Sequence, residues 1–160
     1  MNLLIDTFSW KKFDILNGQK LLDYTELYQK LKLFITHEVA VELKHFQFLS
    51  YQEEQVTIIP ISNQRIYADA IDLRFDPADA SVLSNGSREG NLIIVSEDRP
   101  LLQLAMSYAF VAIQVADLFV ILVKLGFLKR NLAFKMIQSL RSLKNISDRK
   151  FTALKTKLYS

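Results

Sequence analysis

The chain has 160 residues and a formal net charge of +3, and half of its residues are hydrophobic. This length and composition fit one compact domain with a substantial core, and they argue against global disorder. The lack of cysteine excludes disulfides, thiolate catalysis and cysteine-ligated metal centres, and two histidines, His37 and His45, are too few for a histidine-rich metal site.

Short apolar runs alternate along the chain with segments of helical spacing. The runs predict strands buried on both faces of a parallel sheet, at 2–5, 33–36, 56–61, 92–95 and 111–115. The segments between them predict helices at about 8–16, 23–32, 37–49, 63–73, 78–89 and 99–107. This alternation predicts an α/β fold in which right-handed crossovers join parallel strands.

The most apolar stretch, residues 101–128, has the length of a membrane span but not its composition. Polar or charged residues interrupt it at Gln103, Gln114, Asp117 and Lys124. We interpret this stretch as two buried elements joined by a turn, with the helix that starts near Asp117 broken at Gly126. The first residues lack the basic and apolar regions of a secretory signal, so we expect a cytoplasmic protein without a membrane span.

Two amphipathic helices are predicted to end the chain, at about 130–143 and 147–158. Residues 1–123 carry a net charge of −6, whereas residues 124–160 carry +9. A basic end beside an acidic body suits a polyanion-binding surface. The candidate contacts are Lys129, Arg130, Lys135 and Arg141. A solvated helix pair that only caps the core, or one that forms a homodimer seam, fits the same pattern.

Acidic residues follow two of the predicted strands. Asp6 ends the first strand and Asp98 follows the fourth, and ligands of parallel sheets bind beyond the carboxyl ends of the strands. A carboxylate buried at such a place is costly unless it is paired or binds a metal. The alternative is that each aspartate caps the helix after it, which is a common role for this residue.

A further pair of acids lies in the segment HEVAVELKHF. Glu42 stands at the edge of the apolar stripe formed by Val39, Leu43 and Phe46. A lone glutamate on a packing face is unusual, which makes Glu42 a candidate functional residue. Glu38, one turn earlier, is either a second ligand or a solvated neighbour, and we favour the solvated neighbour.

The segment FDPADASVL carries the next acid, Asp79. Asp76 and Pro77 predict the start of a helix, and an acid at its third position also suits the helix dipole, so Asp79 has a structural explanation as well. Hard oxygen ligands without cysteine or histidine favour Mg²⁺ or Mn²⁺. Such metals bridge phosphates and activate water for attack. The candidate ligands are Asp6, Glu42, Asp79 and Asp98.

The order of these motifs resembles that of the PIN-domain nuclease family, which includes the VapC-type toxins. The motifs are IDT, VAVEL, DPADASVL and IVSED, and the resemblance covers about residues 1–128. It matches Thr7 to the position after the first family acid and Ser96 to the polar position near the last one, and it does not settle the role of Glu38. It matches the four metal-binding acids of the family to Asp6, Glu42, Asp79 and Asp98.

The resemblance implies a three-layer α/β/α nuclease domain over 1–128 with a parallel sheet of strand order 3-2-1-4-5, and a basic helical extension over 129–160. It also implies an endoribonuclease that depends on Mg²⁺ or Mn²⁺, often a toxin held by an antitoxin protein. The alternative function is a non-catalytic nucleic-acid-binding or regulatory module that uses the basic C-terminal helices.

Other phosphate-handling α/β proteins fit the sequence less well. A haloacid-dehalogenase-like phosphatase would need a second aspartate two residues after Asp6, where Phe8 stands. The chain contains neither the P-loop motif GxxxxGK[ST] nor the dinucleotide motif GxGxxG. It also lacks the paired acids and the late lysine of a receiver domain.

Overall fold

The computed structural model describes residues 1–88 and 90–160. Its strands are β1 (Asn2–Ile5), β2 (Lys32–Thr36), β3 (Thr57–Ile59), β4 (Leu92–Val95) and β5 (Ala112–Ile113). They form a five-stranded, all-parallel sheet in the order β3-β2-β1-β4-β5. The predicted three-layer α/β/α architecture and its strand order 3-2-1-4-5 are confirmed.

Nine α-helices lie within the described residues, and most of them connect or flank the strands. One group packs together around α5, and another packs around α7 and α8. The helices are α1 (Thr7–Gly18), α2 (Tyr24–Lys30), α3 (His37–Leu43), α4 (Gln64–Asp72), α5 (Pro77–Ser84), α6 (Arg99–Ser107), α7 (Val115–Lys124), α8 (Arg130–Ser142) and α9 (Asp148–Tyr159).

The central strand β1 is buried as strands of an all-parallel sheet usually are. Its residues Leu3, Leu4 and Ile5 have no exposed surface, as expected of a strand covered by helices on both faces. In the sheet, Ile5 pairs with Val95 of β4. This register brings the residues that follow β1 and β4 next to each other.

Two helices end earlier than the sequence predicts. The helix predicted over 37–49 stops at Leu43, because Phe46 is 46% exposed and stacks on Phe48 at 5.0 Å between ring centroids instead of entering the core. The helix predicted over 78–89 stops at Ser84, and residue 89 lies outside the described residues. The side chain of Asn85 donates to the backbone oxygen of Pro60 at 3.1 Å, a contact from a distant loop that local spacing cannot show.

The two short edge strands and the apolar stretch also differ from prediction. The strand predicted over 56–61 is only three residues long in the structure. The strand predicted over 111–115 is two residues long, because Gln114 is the N-cap residue of α7. The stretch 101–128 contains the end of α6, β5 and α7, so it comprises three elements and not two. Among the described residues, no helix is both long and apolar enough to cross a membrane.

The two C-terminal helices share the hydrophobic cluster of the α/β layers. They bury one apolar face each, as their spacing predicts, and α8 packs on α7 and α1 while α9 packs on α7 and α8. The extension over 129–160 therefore covers the core. Its buried hydrophobic residues are Ala133, Met136, Ile137, Leu140, Ile146, Phe151, Leu154 and Leu158.

The close approach of Gly86 to Phe110 gives a stability prediction. A β-carbon at Gly86 would stand 2.1 Å from Cδ2 of the Phe110 ring, so the ring or the backbone must move. We expect Gly86→Ala to lower the free energy of unfolding by about 1–3 kcal/mol, measured by chemical denaturation. Gly18→Ala is the control, because no atom of residues 1–88 and 90–160 that could clash lies within 4 Å of its added β-carbon. A Gly86→Ala protein as stable as the parent would contradict this packing.

Candidate active site

Asp6 stands directly after the central strand and is only 2% exposed. Its Oδ1 accepts the N–H of Ser9 at 2.7 Å and so caps α1. Its Oδ2 accepts the hydroxyl of Ser96 at 2.5 Å and the N–H of Glu97 at 3.3 Å. Burial raises the pKa of Asp6 above its usual value, although these hydrogen bonds act in the opposite direction. Asp6 is therefore both a helix cap and a carboxylate at the predicted edge of the sheet.

Ser96 connects the two aspartates that follow the neighbouring strands β1 and β4. Its hydroxyl, which is fully buried, donates to Asp6 and accepts the N–H of Asp98 at 3.0 Å. The Oδ1 of Asp98 accepts the N–H of the third residue of α6 at 2.8 Å, so Asp98 also acts as a helix cap. Ser96, which the resemblance matches to the polar position near the last family acid, is thus a hydrogen-bonded link between Asp6 and Asp98.

Glu42 reaches the same region from α3. The hydroxyl of Thr7, the residue after Asp6, donates to Oε2 of Glu42 at 2.5 Å. The buried Thr36 caps α3 by accepting the N–H of Val39 at 3.2 Å, so this helix starts directly after β2. Thr7, which the resemblance matches to the position after the first family acid, therefore connects Glu42 to the start of α1.

Asp79 lies in the first turn of α5. Asp76 caps this helix through the N–H of Asp79 at 2.8 Å, which confirms the predicted helix start. The buried hydroxyls of Ser81 and Thr36 are hydrogen-bonded at 2.6 Å and hold α5 against the end of β2. The Asp79 side chain is half-buried.

The electrostatic environment of Asp79 relates it to the other three acids. Burial, followed by the negative charges of Asp76, Asp6, Asp98 and Glu42, raises the pKa of Asp79 to about 7. All four predicted acids thus lie close enough for the others to disfavour the charge of Asp79. The topology explains this proximity, since Asp6 follows a strand and Asp98 follows its neighbour.

The four acids do not form a preorganised metal cage. Among residues 1–88 and 90–160, no three aspartate, glutamate or histidine side chains are placed so that they could hold a metal ion. Like charges repel, and oxygens of Asp6, Glu42 and Asp98 are turned to internal donors. The all-oxygen donor set matches the chemistry of Mg²⁺ or Mn²⁺, but its spacing does not, so binding would require the side chains to draw together.

Glu38 departs from its expected role. It lies one turn before Glu42 on α3, and its Oε2 is shielded from solvent without a hydrogen-bond partner in the described part of the chain. The interpretation of Glu38 as a solvated neighbour is therefore wrong for this oxygen. A buried acceptor without a partner costs free energy, so Glu38 remains a candidate oxygen ligand.

Two charged residues near the aspartates were missed in the sequence. The Oε1 of Glu97 accepts the N–H of Val115 at 2.9 Å, and burial raises the pKa of Glu97. Lys12 donates from Nζ to the side chain of Asn145. Burial lowers the pKa of Lys12, while the charges of Glu97 and Asp6 act to raise it. The neighbour of Glu97 in sequence, Asp98, could have drawn attention to it; Lys12 carries no such signal.

Helix α9 supplies a counter-charge to a further acid at this edge. Asp117 lies in the first turn of α7, directly after β5, and Nζ of Lys150 pairs with its Oδ2 at 2.6 Å. Lys150 also donates to Oε1 of Gln114 at 2.6 Å. The C-terminal helix is thereby attached to the start of α7, and the charge of Asp117 is balanced.

The predicted basic contacts lie on the C-terminal helices and are all exposed. The guanidinium of Arg130 lies 5.5 Å from the ring centroid of Tyr159. Arg141 pairs through Nε with Asp148 at 2.6 Å and lies 4.6 Å from the ring centroid of Phe151. The remaining two are Lys129, the N-cap residue of α8, and Lys135.

The raised pKa of Asp79 predicts a specific dependence of stability on pH. Because its folded pKa, about 7, exceeds the unfolded value, the folded protein holds this proton more tightly. Ionisation of Asp79 therefore lowers stability as the pH rises from about 4 to about 7. We expect Asp79→Asn to melt at a higher temperature than the parent, by a margin that grows over this range and then levels off. A margin that does not change with pH would contradict the environment described for Asp79.

Comparison of the chain with family models, with curated proteins and with solved structures finds no match. The resemblance to PIN-domain nucleases therefore remains a prediction that rests on short motifs and their order. The function has to be argued from the positions and chemistry of the side chains themselves.

Proposed function

We propose that the chain is a metal-dependent endoribonuclease that cleaves RNA phosphodiester bonds at the carboxyl edge of its sheet. The observation that carries the proposal is that acids from distant parts of the sequence lie close together. Ser96 links Asp6 to the backbone of Asp98, and Thr7, the residue after Asp6, donates to Glu42. The charges of Asp6, Asp98 and Glu42 also act on Asp79. The proposed metal ligands and catalytic residues are Asp6, Glu42, Asp79 and Asp98.

The charge and burial of the four acids favour the binding of a divalent cation. Mutual repulsion and burial make the ionised acids costly, and a cation of charge +2 would offset both effects. A bound Mg²⁺ or Mn²⁺ supplies a Lewis acid for the phosphate and lowers the pKa of its water. In this proposal Thr7 orients Glu42, and Ser96 orients Asp6 and Asp98, as outer-shell partners of metal ligands do.

The proposal has a finer form, in which the nuclease is the toxin of a toxin–antitoxin pair. Its support is the resemblance of the motifs to VapC-type toxins. An antitoxin would have to cover the carboxylates or keep RNA away from them. A small neighbouring reading frame with a DNA-binding pattern would favour this form.

A second candidate function is a non-catalytic nucleic-acid-binding module. It is favoured by the capping roles of Asp6 and Asp98 and by the lack of a preformed metal-holding group among the described residues. In this case the basic C-terminal helices bind RNA, and the acids are structural. RNA affinity would fall with salt but would be the same with Mn²⁺ and with chelator, and no RNA would be cut.

The first function predicts cutting of RNA that requires Mg²⁺ or Mn²⁺ and stops with chelator. Asp98→Asn is the sharpest variant, because asparagine caps a helix about as well as aspartate and so spares α6 while removing the charge. Loss of an outer-shell partner already costs about 10–100-fold in metal affinity or activity. We expect the loss of a ligand to lower kcat/KM at least about 100-fold, measured on a labelled RNA.

Asp23→Asn is the matched control for this variant. Asp23 caps α2 through the N–H of Thr25 at 3.0 Å, and α2 precedes the start of β2. The control should cut RNA at the parent rate, and both variants should melt within a few degrees of the parent. Full activity of Asp98→Asn would exclude Asp98 from the chemistry. Metal-independent RNA binding without cutting by the parent would favour the second candidate.

A further inference from the structure

A groove of about 560 Å³ lies between the start of α6 and the turn that joins α8 to α9. Three of its lining residues are basic, namely Arg99, Arg141 and Lys144, and one is acidic, Asp148. The acid is paired with Arg141, so the lining carries an excess of positive charge. The other lining residues are mostly polar: Gln138, Ser142, Asn145, Ile146 and Ser147.

Two lining residues of the groove connect it to residues near the carboxylates. Arg99 directly follows Asp98, whose side chain caps α6. Asn145, on the opposite side, accepts a hydrogen bond from Lys12, and the charge of Asp6 acts on Lys12. Both walls of the groove are thus in contact with the residues that surround the proposed active site.

We propose that this groove binds the phosphate backbone of single-stranded RNA and directs it to the carboxylates. The choice of RNA as the ligand rests on the proposed function. Guanidinium groups match phosphate oxygens with two parallel hydrogen bonds, and Arg99 and Arg141 flank the groove together with the point charge of Lys144.

Arg141 is held ready for such a ligand. Its guanidinium lies over the ring of Phe151 at 4.6 Å, which limits the side-chain freedom that binding would otherwise remove. Its partner Asp148 is largely exposed, and an exposed ion pair contributes little to stability. A phosphate can therefore replace Asp148 at low cost.

The recessed acids favour a flexible strand over a rigid duplex. Asp6 is 2% exposed and Asp98 is half-buried, so a phosphate must bend inwards to approach them. Proteins that recognise RNA in this way mostly take single-stranded segments, whose backbone and bases can splay out.

The test measures binding in chelator, where the proposed cleavage cannot occur. Fluorescence anisotropy with a labelled single-stranded RNA of mixed sequence gives Kd for the full chain and for the double variant Arg99→Glu with Lys144→Glu. We expect at least about a tenfold loss of affinity and a salt slope reduced by about 1.4, because each phosphate contact to a single strand contributes about 0.7.

The control variant carries the same change of charge elsewhere. Lys20 and Lys32 are exposed and follow α1 and begin β2, respectively, so Lys20→Glu with Lys32→Glu should bind within about threefold of the parent. A third variant, Lys129→Glu with Lys135→Glu, tests the exposed start of α8. The milder change of Arg99 and Lys144 to glutamine replaces the charge reversal if the latter does not fold.

Several outcomes would contradict RNA binding by this groove. These are no RNA binding by the parent, equal losses in the groove and control variants, or a loss confined to the variant at Lys129 and Lys135. Tighter binding of duplex RNA than of the single strand would overturn the choice of a single-stranded ligand. If RNA binding depends on the groove residues but the parent does not cut RNA in Mn²⁺, the groove is an RNA-binding site and the proposed nuclease function is wrong. If the parent cuts RNA but the groove variant binds RNA as well as the parent does, the nuclease function is supported and the proposed role of the groove is wrong.

Discussion

Burial of the Asp6 carboxylate at the end of the central strand constrains the structure around it. A carboxylate that is removed from water destabilises the fold unless donors replace its lost solvation. Here the donors are the N–H of Ser9, the N–H of Glu97 and the hydroxyl of Ser96. The N–H of Ser9 belongs to the first turn of α1, and the other two donors belong to the segment that follows β4. The β1–β4 register, the start of α1 and the start of α6 therefore depend on one side chain.

The same burial makes the edge of the sheet electrostatically unfavourable without a cation. Asp79 holds its proton to about pH 7 because it is desolvated and faces Asp76, Asp6, Asp98 and Glu42. Structural caps alone do not require this arrangement, since aspartate is mostly exposed in proteins and the cap of α5 is Asp76, not Asp79. Asp79 is neutral below about pH 7 in the folded protein. Binding of a cation would favour its ionised form, so cation binding would release a proton.

Much of the fold could be predicted because its signals are local. Buried parallel strands give continuous apolar runs, and the Asp-Pro pair at Asp76 and Pro77 marks the start of α5. The strand order came from the resemblance and not from spacing. The ends of α3 and α5 could not be predicted, since they depend on the Phe46–Phe48 stack and on the bond from Asn85 to Pro60. The bond from Asn85 to Pro60 joins residues that are 25 positions apart, and the stack keeps Phe46 at the surface although its spacing places it on the apolar stripe of α3. Helical periodicity shows neither contact.

The candidate site divides in the same way. Asp6, Glu42 and Asp98 could be singled out because acids after buried strands or on packing faces are unusual. Asp79, in the first turn of a predicted helix, joined them through the resemblance. The position of Lys12 could not, because its partner Asn145 is 133 residues away in the sequence. The groove between Arg99 and Lys144 likewise exists only once α8 and α9 pack beside α6. Net charge indicated a basic C-terminal segment, but it could not show which cations face the acids.

The most direct measurement is the position of Mn²⁺ in crystals soaked at millimolar concentration, located by its anomalous scattering. We expect a peak at the carboxyl edge of the sheet, about 2.0–2.3 Å from carboxylate oxygens of at least two of Asp6, Glu42, Asp79 and Asp98. Crystals in which Mn²⁺ binds only elsewhere, or leaves these four side chains without a metal at saturation, would contradict a shared metal site.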